Sequence, residues 1–446
     1  MSLSGLTDYV SSLCVDRCTT TMKEWDMPQP DGQFDRISVL KMQVNRGHRA
    51  RLYPSPEQAR TLTRWAGCAR LLWNIALDQR RWGRGWRLSK ITQCRELTEL
   101  RAEFDWLAEL PAQTAQQVFS ELDLAFQRWW KGLAGYPRRK KKGRSAPLLR
   151  FPQDVEVRRL NRNWGEVKVR KLGWVRFRWS RSLDGTLKHV TLFERYGEWH
   201  VAFCLEKVVD VAPANNSPAV GVDRGVAVAF MTSDGSTFDQ TMWKPTEKTR
   251  LLALEHRKAH QQKGSNRYKQ TCRSINRLYR RATNRRHDFA HKTSTTLAKN
   301  HGMVAVEALV LKNMTASAKG TVHQPGRSVR QKAGLNRAIL DKGWGRTIEH
   351  LRYKCPQYGS LLVEVPARNT SLECAVCHHT SRENRPLRAI FKCVACEHAD
   401  DADRNAAVNI LERGIQLAPT GGQPGLGRKT SKRLRTWRQP TPEAVA

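Results

Sequence analysis

Four cysteines near the end of the chain, Cys374-x-x-Cys377 and Cys393-x-x-Cys396, constrain its folding more than any other feature. Each CxxC turn directs two sulfurs inward, and two such knuckles with fifteen residues between them can place four thiolates tetrahedrally around one Zn²⁺. Two unrelated redox pairs would not explain the doubled spacing. A closed four-sulfur site keeps no open coordination position, so this zinc is expected to be structural rather than catalytic. His378, His379 and His398 lie alongside and are not needed as ligands. The other seven cysteines are scattered, and a reducing compartment would keep them as thiols. The first residues, MSLSGLTDYVSSLCVDRC, have neither the basic start nor the apolar run of a secretory signal, so a cytoplasmic location is expected.

Charge points to the partner. With 78 Lys and Arg against 41 Asp and Glu, the 446-residue chain carries a formal net charge of +37. Such a surface repels itself unless a polyanion neutralises it, and nucleic acid is the polyanion expected. An anionic membrane is the competing partner, but no stretch approaches the roughly 18 apolar residues of a spanning helix and the basic residues are spread along the whole chain, so no membrane partner is expected. The length predicts several domains.

Residues 1–40 are polar and without period. NRGHRARLY (45–53) reads as a strand, and Ser55-Pro56-Glu57-Gln58 then supplies an N-cap, a first-turn proline and a capping-box partner. The helix that follows has Leu62, Trp65, Ala69, Leu72, Trp73 and Ala76 on one face. A second, beginning near Pro111 and ending at Gly135, repeats the pattern with Phe119, Leu122, Phe126, Trp129 and Leu133. Both stripes read as core rather than as platforms for nucleobases. The run YPRRKKKGRS then presents Arg138, Arg139, Lys140, Lys141 and Lys142 for contact with phosphates. From 155 to 208, short alternating segments predict an antiparallel sheet or small β-barrel, with the helical block inserted as a lobe. After the linker VAPANNSP, a hairpin turning at Asp234-Gly235 opens a new domain. Helical segments over 246–300 broken near Gly264, a buried strand GMVAVEAL, a helix over about 335–355 and a strand SLLVEVP mark that domain as α/β.

Two acids occupy unusual settings. Asp223 in VGVDRG and Glu307 in MVAVEAL stand where Val and Ala otherwise fill strands, and buried carboxylates there are costly unless a cation neutralises them. A third acid comes from DADRNAAVNIL, where Asp400, Asp401 and Asp403 compete. The first two suit a helix start. Asp403, one turn before Ala407, Ile410 and Leu411, is placed to face inward. Hard oxygen ligands of this kind suit Mg²⁺ or Mn²⁺.

The ordered series GVDRG, RRHDFAHK, VAVEAL, CAVC, CVAC and DADRNAAVNIL closely resembles the RuvC-like nuclease half of TnpB proteins and of compact type V CRISPR effectors. RLYPSPEQ, GCARLLWNIAL and YPRRKKKGRSAPLLRFP resemble the N-terminal half of the same family, so the likeness runs from about residue 42 to 413. It implies an RNA-guided DNA endonuclease with an RNase H-like (RuvC) nuclease domain, a zinc ribbon insertion and an N-terminal wedge β-barrel carrying a helical recognition lobe. The implied division is an extension (1–40), wedge (41–55 and 150–213), recognition lobe (56–149), nuclease domain (214–370 and 399–413), ribbon (371–398) and tail (414–446). By motif position Asp223, Glu307 and Asp403 become the three metal-binding acids of a two-metal cleavage site. Asn405 and Asn409 match the family's last helix, in local hydrogen bonding rather than catalysis. The implied partners are a guide RNA and target double-stranded DNA; a homodimer is compatible with this reading. Tyr53, Asn74 and residues 113–117 fall where a short duplex motif beside the target would be read. The departures are the first forty residues, the tail, and His378-His379 in place of a glycine after the second cysteine. An RNase H-fold transposase and a guided DNA-binding regulator that does not cut remain as alternatives.

Overall fold

The computed structural model describes residues 41–82, 88–143, 145–210, 212–321 and 323–418. The N-terminal extension and the tail beyond residue 418 lie outside the described residues. The chain forms two units, one comprising residues up to Val211 with Pro245–Arg281, the other Ala212–Lys244 with the chain from Ala282 onward. Residues 245–281, drawn into the nuclease domain on sequence grounds, thus group with the first unit.

In the first unit β1 (Lys41–Tyr53) leads into α1 (Pro56–Trp82). The capping box forms as its residues require: the Gln58 N–H donates to Ser55 Oγ (3.2 Å) and the Ser55 N–H to Gln58 Oε1 (3.0 Å). Helices α2 (Lys90–Glu103), α3 (Asp105–Ala108) and α4 (Ala112–Trp130) complete the inserted block. The last of these stops at Trp130, five residues before Gly135, because the chain turns at Gly132 in the left-handed region (φ 65°). Six strands follow: β2 (Leu148–Phe151), β3 (Val155–Arg159), β4 (Trp164–Val169), β5 (Gly173–Arg178), β6 (Thr186–Arg195) and β7 (Glu198–Asp210). The antiparallel sheet runs β2-β6-β7-β1-β5-β4-β3. Its pivot is β1, which pairs with β7 over Lys41–Arg51 and passes to β5 at Leu52 and Tyr53. The edge strands β2 and β3 are not hydrogen-bonded to each other, so among the described residues the sheet is open and the expected barrel is not closed. Trp65, Leu122, Phe151, Phe177 and Phe203 belong to one apolar core shared by helices and sheet, as the stripes predict for all but the end of the second, where Trp129 and Leu133 are exposed because the helix stops at Trp130.

The second unit is built on a five-stranded mixed sheet, β10-β9-β8-β11-β12. Here β8 (Val220–Asp223) and β9 (Phe230–Thr232) are antiparallel, and β10 (Thr237–Phe238) closes a hairpin over Gly235 (φ 85°). Between these strands and β11 in sequence, helix α5 (Pro245–Ala259), which belongs to the first unit, and α6 (Asn266–Asn300), which passes from the first unit into the second after Arg281, break around Gly264 as expected. Strand β11 (Met303–Glu307) pairs in parallel with β8 and with β12 (Leu361–Val365). After the short α7 (Leu311–Met314), the helix expected over 335–355 is two, α8 (Val329–Lys342) and α9 (Trp344–Gln357). Gly343 separates them in the left-handed conformation (φ 73°), which ends one helix and re-aims the chain for the next. The ribbon strands β13 (Ile390–Lys392) and β14 (Ala399–Asp401) precede α10 (Ala402–Leu417), which runs four residues past the boundary expected at 413.

Helix α10 lies directly on the two central strands because glycines open the way. A Cβ at Gly221 would overlap the carbonyl oxygen of Ala407 and fall 2.6 Å from the Leu411 nitrogen, while one at Gly414 would fall 2.5 Å from Cβ of Ala305. Gly221→Ala should therefore push the helix off the sheet and cost about 3 kcal/mol or more, the scale of overpacking a core against rigid backbone. Thermal denaturation of the variant reads this directly; an unchanged melting temperature would contradict the packing.

Candidate active site

The parallel register of β8 and β11 brings the first two acids together. Val222 pairs with Val306, so the next residues, Asp223 and Glu307, end their strands side by side on one face at the carboxyl edge of the sheet. The three competing aspartates separate by local hydrogen bonding. Asp401 is the N-cap of α10, its Oδ1 accepting from the N–H groups of Asp403 (2.9 Å) and Arg404 (3.1 Å). Asp400 is paired with Arg404 (3.1 Å). Asp403 instead turns toward the loop after β8, its Oδ2 standing 3.2 Å from where a side chain on Gly225 would begin.

Burial, then the carboxylates of Glu307 and Asp403, push the Asp223 pKa up from 3.8 to about 7. Asp403 is raised as well, chiefly by burial and against the opposing charge of Arg385. Glu307 is 9% exposed, and its Oε1 accepts from the Thr370 hydroxyl (2.6 Å). The buried Arg224, next to Asp223, donates to the backbone carbonyl of Glu307 and so ties the two strand ends together. Arg385, from the segment between the two cysteine pairs, holds an ion pair with Asp403 at 3.4 Å. The three carboxylates do not close to within 4.8 Å of one another; among the described residues only the cysteine quartet does.

That quartet fits zinc. A Zn–S bond of about 2.3 Å in a tetrahedron sets S···S edges near ~3.8 Å. Cys374 and Cys396 stand 3.7 Å apart and Cys377 and Cys393 3.5 Å. The N–H groups of Val376 and Ala395 point at the sulfurs of Cys374 and Cys393 (3.4 Å each), as folded knuckles do. His378 is not a ligand but faces Glu373 (3.6 Å) and Glu412 (3.7 Å). It has a φ of +59° and Glu397, in the same place after the second pair, +60°, which explains why glycine suits this position.

The ribbon is fastened to the acid-bearing helix. Asn405, fully buried, accepts from the Ala375 N–H (3.0 Å) and donates to the Glu373 carbonyl (2.8 Å). Asn409 donates to the carbonyls of Thr370 (3.0 Å) and Glu373 (2.7 Å). Within the ribbon, buried Asn384 ties Leu372 and His379 to Val394 (2.9, 2.9 and 3.0 Å). Asn405 and Asn409 thus serve hydrogen bonding, as their place in the helix pattern implies, but with partners 30 to 39 residues away rather than local ones. Thr370, Arg385, Arg224 and Asn384 carry no signal in the sequence, because their roles depend on partners distant along the chain.

The other candidates lie in the first unit. Asn74 exchanges both amide hydrogen bonds with the Lys140 backbone (3.0 and 2.8 Å), and Trp73 Nε1 donates to the Arg138 carbonyl (3.0 Å), so α1 holds the basic run in place. Arg139 pairs with Asp78 (3.0 Å), and Lys140 with Glu121 (3.7 Å) over the Trp73 ring. Arg138, Lys141 and Lys142 are exposed. Tyr53 meets Trp164 edge-on (5.1 Å) beneath the Arg51 guanidinium. Gln113 donates to Gln153 (2.6 Å). No described helix is long and apolar enough to cross a membrane.

Three family models match parts of the chain: "Cas12f1-like, TNB domain" over residues 344–410, "Probable transposase" over 202–318, and "Helix-turn-helix domain" over 42–85. The last spans β1 and the single helix α1 here. The chain is 34% identical over 402 residues to "Putative RNA-guided DNA endonuclease InsQ" of Escherichia coli (strain K12), covering 88% of this chain and 96% of that protein. It is 30% identical over 392 residues to a Streptomyces pristinaespiralis protein named in the same terms, covering 86% and 92%. The fold is similar to that of Cas12f1 in its complex with sgRNA and target DNA, with a TM-score of 0.51 at 13% identity over 82% of this chain and 98% of that one. The conjunction of strand-end acids, four-cysteine ribbon and near full-length likeness shows that the chain belongs to the TnpB (OrfB, IS605) family, whose C-terminal part carries a Cas12f1-like TNB domain.

Proposed function

We propose that this chain is an RNA-guided DNA endonuclease and that Asp223, Glu307 and Asp403 form its hydrolytic site in an RNase H-like (RuvC) domain. One observation carries the assignment of the site: two acids end adjacent parallel strands, a third stands on the first turn of α10, and burial together with the charge of the other two lifts Asp223 to about 7. Such a cluster calls for a cation. Its all-oxygen donor set suits Mg²⁺ or Mn²⁺. Asp223, Glu307 and Asp403 would hold these ions, which when bound would supply activation of the attacking water and stabilisation of the leaving 3′-oxygen.

The chain's own groups orient that chemistry. The Thr370 hydroxyl occupies one oxygen of Glu307 and leaves the other free to ligate. Arg224 fixes the end of β11, and Asn405 and Asn409 hold α10 against the ribbon so that Asp403 keeps its place. Arg385 balances Asp403 while no cation does. The relatives' names and the Cas12f1 complex support a guide RNA and target DNA as partners. The open seven-stranded sheet then serves as the wedge, α1 to α4 as the recognition lobe, residues 371–398 as the ribbon, and Arg138, Lys141 and Lys142 as phosphate contacts. All three acids are present, which disfavours a regulator that does not cut.

The test is to purify the protein from cells expressing its native locus and sequence the RNA bound to it. One discrete RNA is expected, and exchanging its variable end should redirect plasmid cutting in Mg²⁺ to the new complementary site. Absence of a discrete RNA, or cutting indifferent to its variable end, would refute the guided reading. Joined rather than cut products would favour strand transfer.

A further inference from the structure

An open depression of about 460 Å³ lies where β3 and β5 end and β4 begins, and the cleavage chemistry makes no use of it. That volume is within the ~300 to 1,000 Å³ of small-ligand clefts. Its lining includes Arg159, Arg162, Arg178 and Arg181 around Trp179 and Asn163. Cations elsewhere on these strands are neutralised: Arg158 and Arg176 by Glu166 (2.7 and 3.3 Å), Lys168 by Glu156 (2.8 Å), Arg170 by Asp154 (3.2 Å). Among the described residues the four arginines of the depression form no ion pair with a carboxylate. Asp184, the acid on the adjoining loop, accepts instead from Ser182 (3.0 Å).

Neutral acceptors orient two of these guanidiniums without cancelling their charge. Arg159 donates to the Asn161 carbonyl (3.1 Å) and Arg178 to Asn163 Oδ1 (3.3 Å). The loop that carries them is fixed, since Asn161 Oδ1 accepts from the N–H groups of Asn163 (2.9 Å) and Trp164 (3.0 Å). Trp179 is fixed too. Its backbone N–H donates to the Asn163 carbonyl (2.9 Å), and its ring lies over Gly165, where a Cβ would fall 2.5 Å from it, and beside Phe177 (5.5 Å). A preset aromatic ring among uncompensated guanidiniums is what binds a base with its flanking phosphates.

We infer that this depression holds one unpaired nucleotide of the guide RNA, its base stacked on Trp179 and its phosphates on the four arginines. The inference rests on the guided-endonuclease reading above. RNA is favoured over DNA because structured RNA offers splayed-out bases for stacking whether or not a target is bound, whereas the target strand is paired in heteroduplex and the displaced strand is single only while a target is engaged. Asn163 and Ser180 beside the ring supply partners for a 2′-hydroxyl.

The experiment uses the full-length protein with the RNA that co-purifies from its native locus. Ultraviolet crosslinking and mass spectrometry should map one unpaired nucleotide to the peptide containing Trp179. For the same RNA, re-bound after extraction, Arg162→Glu with Arg181→Glu should weaken affinity about 10- to 100-fold near 0.15 M salt, and the slope of log K against log salt should fall by roughly 1.4, two single-strand phosphate contacts. Trp179→Leu should lose about 5- to 100-fold while Trp179→Phe retains most of the affinity. The arginine pair is exposed and tests the site even if Trp179→Leu fails to fold. Unchanged RNA affinity in the arginine variant, with crosslinks elsewhere, would overturn the inference and leave the guided reading standing. Crosslinks that appear only with target present, and on DNA, would overturn it in favour of the displaced strand. If no RNA co-purifies, the reading beneath it fails first.

Discussion

Asp223→Asn is expected to lower DNA cutting by about 10³-fold or more while guide and target binding stay within about twofold. The isostere keeps the shape of the strand end and removes one charge from the set that must hold the cations, whose contribution to the transition state is several kcal/mol. Glu307→Gln and Asp403→Asn should behave alike, whereas Asp401→Asn should retain cutting because asparagine also caps a helix. A second readout needs no cleavage. The Asp223 carboxyl has a pKa of about 7 in the folded chain against 3.8 unfolded, so the folded state holds the extra proton between those values. Its contribution is fully present below about pH 4 and is lost as pH rises through about 7. Without metal, the parent should thus be destabilised at pH 8 relative to pH 6 by more than Asp223→Asn is, by about 1.4 kcal/mol, the value of one pH unit of titration. Added Mg²⁺ should raise the melting temperature of the parent and leave that of the variant nearly unmoved. A variant that cuts normally, or that matches the parent's pH dependence in chelator, would sink the assignment.

The second large effect concerns the ribbon. About one zinc per chain should survive extensive dialysis, because structural zinc contributes on the order of 10 to 16 kcal/mol in small domains. Cys393→Ser should release it and reduce cutting by roughly 100-fold or more, although all three acids remain. The route is mechanical: without the knuckles, the contacts of Asn405 and Asn409 to residues 370–375 and of Arg385 to Asp403 lose their anchor. Metal analysis beside a cleavage assay checks it. Soluble, fully active protein without zinc would be incompatible with this account.

Much of this was legible in the sequence where local chemistry decides the outcome. The Ser55 and Gln58 box, the alternating strands from 155 onward and the cysteine spacing each specify their own geometry. Elements without a local signal were not legible. Helix α2, KITQCRELTELRAE, buries only Gln93 and Leu97, so no apolar stripe announces it. Gly343 is not decisive in the sequence, because a glycine between two helical patterns can end one helix or lie within it, and only tertiary packing decides. Asp223 and Glu307 stood out because acids are conspicuous among valines. Arg385 and Thr370 did not, since an arginine or threonine in a loop is unremarkable until the carboxylate it meets is known.

The glycine-enabled seat of α10 on β8 and β11 also has a bearing on how the protein reaches its native state. Gly221 and Ala407 touch backbone to backbone with almost the whole unit between them in sequence, and β8, β11 and β12 are joined in parallel by crossovers rather than hairpins. Loop-closure entropy must be met before such contacts give any return, so this seat should be among the last to form. Asp403 travels on that helix. Chains still on the way to the native state therefore hold two of the three acids and not the third, and hydrolytic competence arrives only with the final docking.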